Sequence, residues 1–257
     1  MFEGAGKPLS EAGLVQAANE LDVGLPVLWA VMTVETKGCG FLADRRPQIL
    51  FERHIFHKRT NGKFDVTAPD LSNRIAGGYG ASGAFQYARL ARAIGLDRTT
   101  ALESTSWGLG QVMGFNATET GFPDVEAMVT AMCESEDSQF EAMVAFIEKN
   151  NLSQYLRHGD WPHFAFHYNG PDFQKKGYDT NLAKASARYS AGPLPSLGVR
   201  AVQLYLTYLN YGPGGVDGWF GQDTQNALIK FQSDTGLPAS GHPDDPTLTA
   251  LEQAAMA

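Results

Sequence analysis

The C-terminal stretch, residues 197–257, constrains this chain more than any other. Val199, Val202, Leu206 and Leu209 recur at helical spacing, as do Thr224, Ala227 and Phe231. Between the two runs lies Asp217-Gly218-Trp219-Phe220-Gly221, and Gly236-Leu237 with Gly241 closes the pattern. A recurrence of three and four residues lines up one helix face, and glycine-punctuated breaks between such runs are turns. The pattern predicts a small three-helix module in which two main helices clamp an Asp-Gly turn.

A chain of 257 residues has room for a well-buried core plus one appendage. The run Ser190-Ala191-Gly192-Pro193-Leu194-Pro195-Ser196 has linker composition. Residues 1–190 are therefore predicted as one domain, 191–196 as the linker and 197–257 as the second domain. The net charge is −8, and the tail module sets Arg200 and Lys230 against Asp217, Asp223, Asp234, Asp244, Asp245 and Glu252. No basic stripe is present, which argues against a nucleic-acid partner. The N-terminus lacks a basic stretch followed by an apolar one, and no run is long enough to cross a bilayer, so membrane insertion is not expected. Cys39 and Cys133 are far apart in sequence, and spacing alone leaves both two free thiols and a disulfide open.

The first domain reads as mainly α. Leu14, Ala17, Ala18 and Leu21 share a helix face, with Ser10 as its N-cap. Gly24-Leu25-Pro26 restarts the chain, and proline suits a first helical turn because its missing N–H would have no partner there. Val27, Leu28, Val31, Met32 and Val34 make this second helix apolar on most sides, and Gly38-Cys39-Gly40 is its stop. Residues 57–83 are rich in turn formers and predict a long loop or short hairpin along a cleft wall. Helices are predicted again at 84–94, 97–105, 123–132, 136–150, 160–167 and 178–190.

Glu35 falls in the last turn of the buried second helix. Apolar neighbours and the negative end of the helix dipole both raise a carboxyl pKa there. A carboxylic acid kept protonated near neutrality is what glycosidic cleavage needs, since the leaving oxygen must receive a proton. The alternative is an ordinary helix-terminal glutamate in solvent. Two further segments stand out: Ser106-Trp107-Gly108-Leu109-Gly110-Gln111-Val112-Met113-Gly114, and an apolar helix ending Tyr168-Asn169-Gly170-Pro171. Taken alone, the first could be a turn that hydrogen-bonds its own glutamine, and the second a helix C-cap. His54 with His57, and His163 with His167, have helical spacing, but no third ligand accompanies either pair, so no metal is expected. A Cys–His nucleophile at Cys39 or Cys133 lacks a setting that would stabilise a thiolate.

The tail pattern resembles the type 1 peptidoglycan-binding domain found on cell-wall hydrolases. The remaining motifs, in order, resemble the phage N-acetylmuramidase family of the lysozyme-like superfamily over about residues 10–190. They are Val34-Glu35-Thr36, Ile49-Leu50-Phe51-Glu52-Arg53-His54, Ser106-Trp107-Gly108 with Gln111 and Met113-Gly114, and Tyr168-Asn169-Gly170-Pro171. Members of that family often carry the wall-binding module at the N-terminus, whereas here the matching pattern is C-terminal.

The resemblance implies a helical lysozyme-like fold and a cofactor-free glycosidase acting as a monomer on peptidoglycan, with Glu35 as general acid. Ser106, Gln111, Tyr168 and Asn169 would bind sugar or orient water. Most glycosidases use a second carboxylate. Glu52 is the first candidate, with a buried salt bridge to an arginine as its alternative reading, and Asp44 is the second. A lytic transglycosylase manages with one acid, and a non-catalytic wall-binding protein is a further alternative. In the module, Trp219, Asn226 and Gln232 are candidate wall contacts, although Trp219 could equally plug the small core. An acidic module gains no steering toward anionic wall polymers, so recognition would rest on hydrogen bonds and stacking. A wall-directed chain without an export signal suggests a phage lysin, made in the host cytoplasm and released through a separately encoded pore.

Overall fold

The first helix, α1 (Glu11–Leu21), begins where its cap was expected: the Ser10 hydroxyl accepts from Gly13 N at 3.0 Å. That bond satisfies one of the amides that a helix start leaves unpaired. Leu14, Ala17 and Leu21 are buried and Ala18 is half-buried. Helix α2 (Leu25–Thr36) carries Pro26 in its first turn and buries Leu28, Trp29, Ala30, Val31 and Met32. The computed structural model describes residues 2–36 and 39–257, so Gly38 of the expected stop lies outside the described residues.

A short strand, β1 (Ile49–Phe51), then leads into α3 (Arg53–Arg59). Beyond an irregular passage come α4 (Phe85–Ile94), α5 (Arg98–Glu103), β2 (Thr105–Trp107) and β3 (Val112–Met113). Next follow α6 (Val125–Glu134), α7 (Glu136–Lys149), α8 (Ser153–His158), α9 (Trp161–Asn169), α10 (Phe173–Lys176) and α11 (Tyr178–Ala191). The predicted helices all occur. Missed were α3, α8 and α10, which have 7, 6 and 4 residues, too few to display a period. The three-strand sheet was missed for the same reason.

That sheet is antiparallel in the order β1-β2-β3, with Leu50 opposite Ser106 and Ser106 opposite Met113. Side chains alternate between sheet faces. Ile49, Phe51 and Trp107 therefore point to the core and are buried, while Leu50 and Ser106 share the other face. The passage expected as a loop or hairpin contains no strand among the described residues. Its first residues belong to α3, and the rest is pinned by side chains: Gln86 donates to Tyr79 O and Ala81 O at 2.7 Å, and Arg53 donates to Ile75 O at 3.0 Å. Helix α2 packs chiefly on α11, and α1 on α7, around one apolar core.

The C-terminal module comprises α12 (Leu197–Tyr208), α13 (Gln222–Asp234) and α14 (Asp245–Met256) around Val202, Leu206, Ala227, Leu228, Phe231 and Leu251. The clamp on the Asp-Gly turn is Gln203, whose Oε1 accepts from Asp217 N at 3.0 Å and Gly218 N at 2.8 Å. Gly218 has φ 78°, and a Cβ there would sit 2.8 Å from that of Pro195, so only glycine fits.

The module is docked on the N-terminal domain. Phe41 packs with Leu204 and Val216, the Tyr208 hydroxyl donates to Gly6 O at 2.7 Å, and Arg45 donates to Ala255 O at 3.1 Å. Arg200, counted above among the module's charges, is buried and paired with Glu136. Trp219 does not plug the module's core. It packs against the core of the N-terminal domain, with the Arg188 guanidinium 5.2 Å from its ring centre.

Candidate active site

Glu35 occupies the last turn of α2, a helix that buries every residue from Leu28 to Met32. Loss of water raises its carboxyl pKa from 4.5 to about 7, and a hydrogen bond from Asn169 pulls it the other way. That bond runs from Asn169 Nδ2 to Glu35 Oε2 at 2.7 Å, whereas Oε1 is buried without a partner. One oxygen is thus fixed and the other is free to carry a proton.

Asn169 and Tyr168 come from the end of α9, which Gly170 terminates at φ 86°. The Tyr168 ring stacks on Phe164 and meets Phe146 edge-on, and its hydroxyl donates to Gly110 O at 2.7 Å. Adjacent residues therefore hold different partners, Asn169 the acid and Tyr168 the glycine-rich hairpin between β2 and β3. Burial, with Glu35 beside it, pushes the Tyr168 hydroxyl well above its ordinary pKa, which leaves it a donor.

Gln111 sits in that hairpin with φ 48°. Its amide nitrogen donates to Gly108 O at 2.9 Å and Gln48 O at 3.2 Å, while its oxygen accepts from the Ser106 hydroxyl at 2.9 Å. The side chain is spent on bracing the hairpin against the residue preceding β1. Gly110, Gln111, Val112, Met113, Asn116, Phe146 and Tyr168 line a small cavity of about 80 Å³. Glu35, Asn169, Tyr168, Gln111 and Ser106 are thereby joined into one group.

Glu52 stands outside this group. It follows β1 directly, with its amide on Ser104 O at 2.9 Å. Alternation along the strand puts it on the face shared by Leu50 and Ser106. Its expected arginine partner is absent, because Arg53 turns to Ile75 O. Its Oε2 instead lies 3.1 Å from His54 Nδ1, without hydrogen-bond alignment. Asp44 pairs with Arg46 on the surface. Both cysteines are free, and burial raises each to about 12, far from a reactive thiolate. His57 pairs with Asp65 and His163 with Asp160, and no metal-binding cluster occurs among the described residues.

In the module, Asn226 is exposed and accepts from Gln222 at 3.0 Å. Gln232 is fully buried, donating to His242 O and the Thr247 hydroxyl and accepting from Gly241 N at 2.8 Å. It cannot touch a wall polymer, since its polar atoms serve the turn before α14. Sequence reasoning also missed Glu136 and Gln139. In the first turn of α7, Glu136 accepts from Gly40 N at 2.9 Å, and Gln139 accepts from Leu109 N at 2.7 Å. These two bonds hold both loops that flank the acid, yet nothing in the helical pattern of 136–150 sets those positions apart.

The N-acetylmuramidase family model matches residues 24–190, and a peptidoglycan binding domain model matches residues 196–251. The crystal structure of Burkholderia AP3 phage endolysin is similar, with a TM-score of 0.67 and 43% identity over 72% of this chain and 72% of that one. Curated protein sequences gave no match. With the family model spanning most of the chain, and a relative this similar over nearly three quarters of it, the chain belongs to the N-acetylmuramidase family.

Proposed function

We propose that this chain is an endolysin that hydrolyses the β-1,4 bond between N-acetylmuramic acid and N-acetylglucosamine, with Glu35 as general acid. The observation that carries the assignment is the Glu35 carboxyl, buried to a pKa of about 7 with Oε2 fixed by Asn169 and Oε1 unpartnered. Near neutrality Oε1 carries the proton. Transfer to the glycosidic oxygen lets that bond break, and the oxocarbenium-like centre left behind takes a water. Glu52 on the sheet face is the second carboxylate of this reading. Tyr168 and Gln111 act by shaping the cleft wall rather than by touching the reacting atoms.

The module places the chain on peptidoglycan, with exposed Asn226 and half-buried Trp219 at the seam as its candidate contacts. Acid and wall contact lie in one chain, so a monomer suffices. No helix among the described residues is long and apolar enough to cross a membrane. The endolysin reading carries with it synthesis in the host cytoplasm and passage to the wall through a separately encoded pore.

A second reading has one observation in its favour. Glu52 is turned to His54 and the Tyr79 hydroxyl, and shares no hydrogen bond with the Glu35 group, as a one-acid lytic transglycosylase would allow. Mass spectrometry of fragments from purified peptidoglycan, before and after borohydride reduction, separates the readings. Reducible muramic acid ends that vanish in Glu35→Gln are the expected result. Anhydromuramic ends would make the enzyme a transglycosylase, and reducible N-acetylglucosamine ends would overturn the bond assignment. No release by either protein would leave a wall-binding protein.

A further inference from the structure

Glu136 is the meeting point of three parts of the chain that are remote in sequence. Its Oε2 accepts from Leu9 N at 2.9 Å, its Oε1 from Gly40 N at 2.9 Å, and both oxygens accept from the Arg200 guanidinium, the Nη2–Oε1 bond being 2.6 Å. Arg200 belongs to the C-terminal module, and Gly40 lies five positions beyond Glu35. Both side chains of the pair are almost completely buried, 1% and 0% exposed.

The same seam covers residues 39–41. Phe41 packs on Leu204 and Val216 of the module, with Cys39 and Tyr208 against the cluster. A Cβ on Gly40 would lie 1.8 Å from Gln139 Oε1, so the backbone at Gly40 runs tight against the first turn of α7. One turn of α7 thus holds Gly40 through Glu136 and Leu109 through Gln139, and Arg200 holds that turn.

We propose that Arg200 is a positioning residue for the active site: through Glu136 it fixes Gly40, five positions beyond Glu35, so the wall-binding module is a working part of the hydrolytic site as well as its anchor. The proposal rests on Glu35 being the acid. A bidentate guanidinium–carboxylate pair fixes direction as well as distance. A misplacement of about 1 Å in catalytic geometry can cost on the order of 100-fold in rate. A module that only tethered would need no such joint.

The test uses the full chain and a GlcNAc–MurNAc tetrasaccharide too short to engage the module and the cleft together, with intact sacculi in parallel. Arg200→Met should lower kcat on the tetrasaccharide by on the order of tenfold or more while KM moves less than about twofold. Arg200→Lys, which restores charge without the fork, should recover part of that loss. Leu204→Ala leaves the ion pair in place and removes the side chain under Phe41, so it should show a smaller kcat effect of the same kind. It also keeps the test alive if Arg200→Met does not fold. Wild-type kcat on the tetrasaccharide in every folded variant, with losses confined to sacculi, would overturn the proposal and leave a tether. Turnover by Glu35→Gln would instead defeat the assignment of the acid, whatever the Arg200 variants do.

Discussion

Glu35 and Glu136 are both glutamates withdrawn from water, and the molecule treats them in opposite ways. Glu136 lies in the first turn of α7, at the positive end of a helix, and its two oxygens collect bonds from Leu9 N, Gly40 N and Arg200. Glu35 lies in the last turn of α2, at the negative end, with one bond from Asn169 and one oxygen unpartnered. Burial alone therefore does not set what a carboxylate does. The number and charge of the donors offered to it decide whether it is spent as a joint or left with an oxygen that can hold a proton, as the proposed role of Glu35 requires.

The largest expected effect tests the functional half of that contrast. Glu35→Gln should lower the release of reducing ends by on the order of 10³-fold; retained turnover would reduce Glu35 to a bystander. The structural half is tested by Glu136→Ala, which leaves Arg200 buried without its partner. Urea unfolding at pH 7 should show a loss of about 3–5 kcal/mol, and a loss under about 1 kcal/mol would mean the seam relaxes and the comparison breaks.

Smaller effects sharpen the contrast. Activity should fall about tenfold per pH unit above a pKa of about 7, because the proton donor is then lost. Asn169→Ala removes the bond that favours the ionised form, so this limb should move to higher pH while kcat falls by about tenfold. A downward movement would show that Asn169 stabilises the protonated form instead.

The same shift has a stability consequence of fixed sign. The folded pKa of about 7 lies above the ordinary 4.5, so the folded chain holds this proton more tightly than the unfolded one. Its contribution is complete below pH 4.5 and declines until about pH 7, where it is gone. Glu35→Gln should accordingly be more stable than wild type at alkaline pH by about 3 kcal/mol, with the difference vanishing in acid. The smallest effect belongs to Asn226→Ala, expected within about 0.5 kcal/mol of wild type in stability. Gln232→Ala, which orphans Gly241 N, should cost about 1–3 kcal/mol.

Much of this was legible from the chain alone. The Ser10 cap, the apolar α2 and the Tyr168-Asn169 end of α9 follow from short-range rules, since capping and periodicity act within a few residues. Gln203 and Gln232 show the limit. Each is a glutamine on an apolar helix, and each turns out to be the buried clamp of a turn 14 or 9 residues further on. Gln232 was mistaken for a surface contact because a polar residue in a helical pattern gives no sign of which way it faces. Gln111 spends its amide on its own hairpin, as the turn reading of its segment anticipated, while its bond to Gln48 O depends on the packing of β1 against β2.

The sequence by itself determined the mainly helical architecture, the wall-binding module and the glutamate at the end of a buried helix. These depend on local period, turn chemistry and motif order. Only the tertiary structure decided that Asn169 fastens one oxygen of that glutamate and leaves the other free. It alone showed that the module locks onto the first domain through Arg200 and Glu136. Those partners stand 134 and 64 positions apart, and hydrogen bonding and burial over such separations are set by how the helices pack.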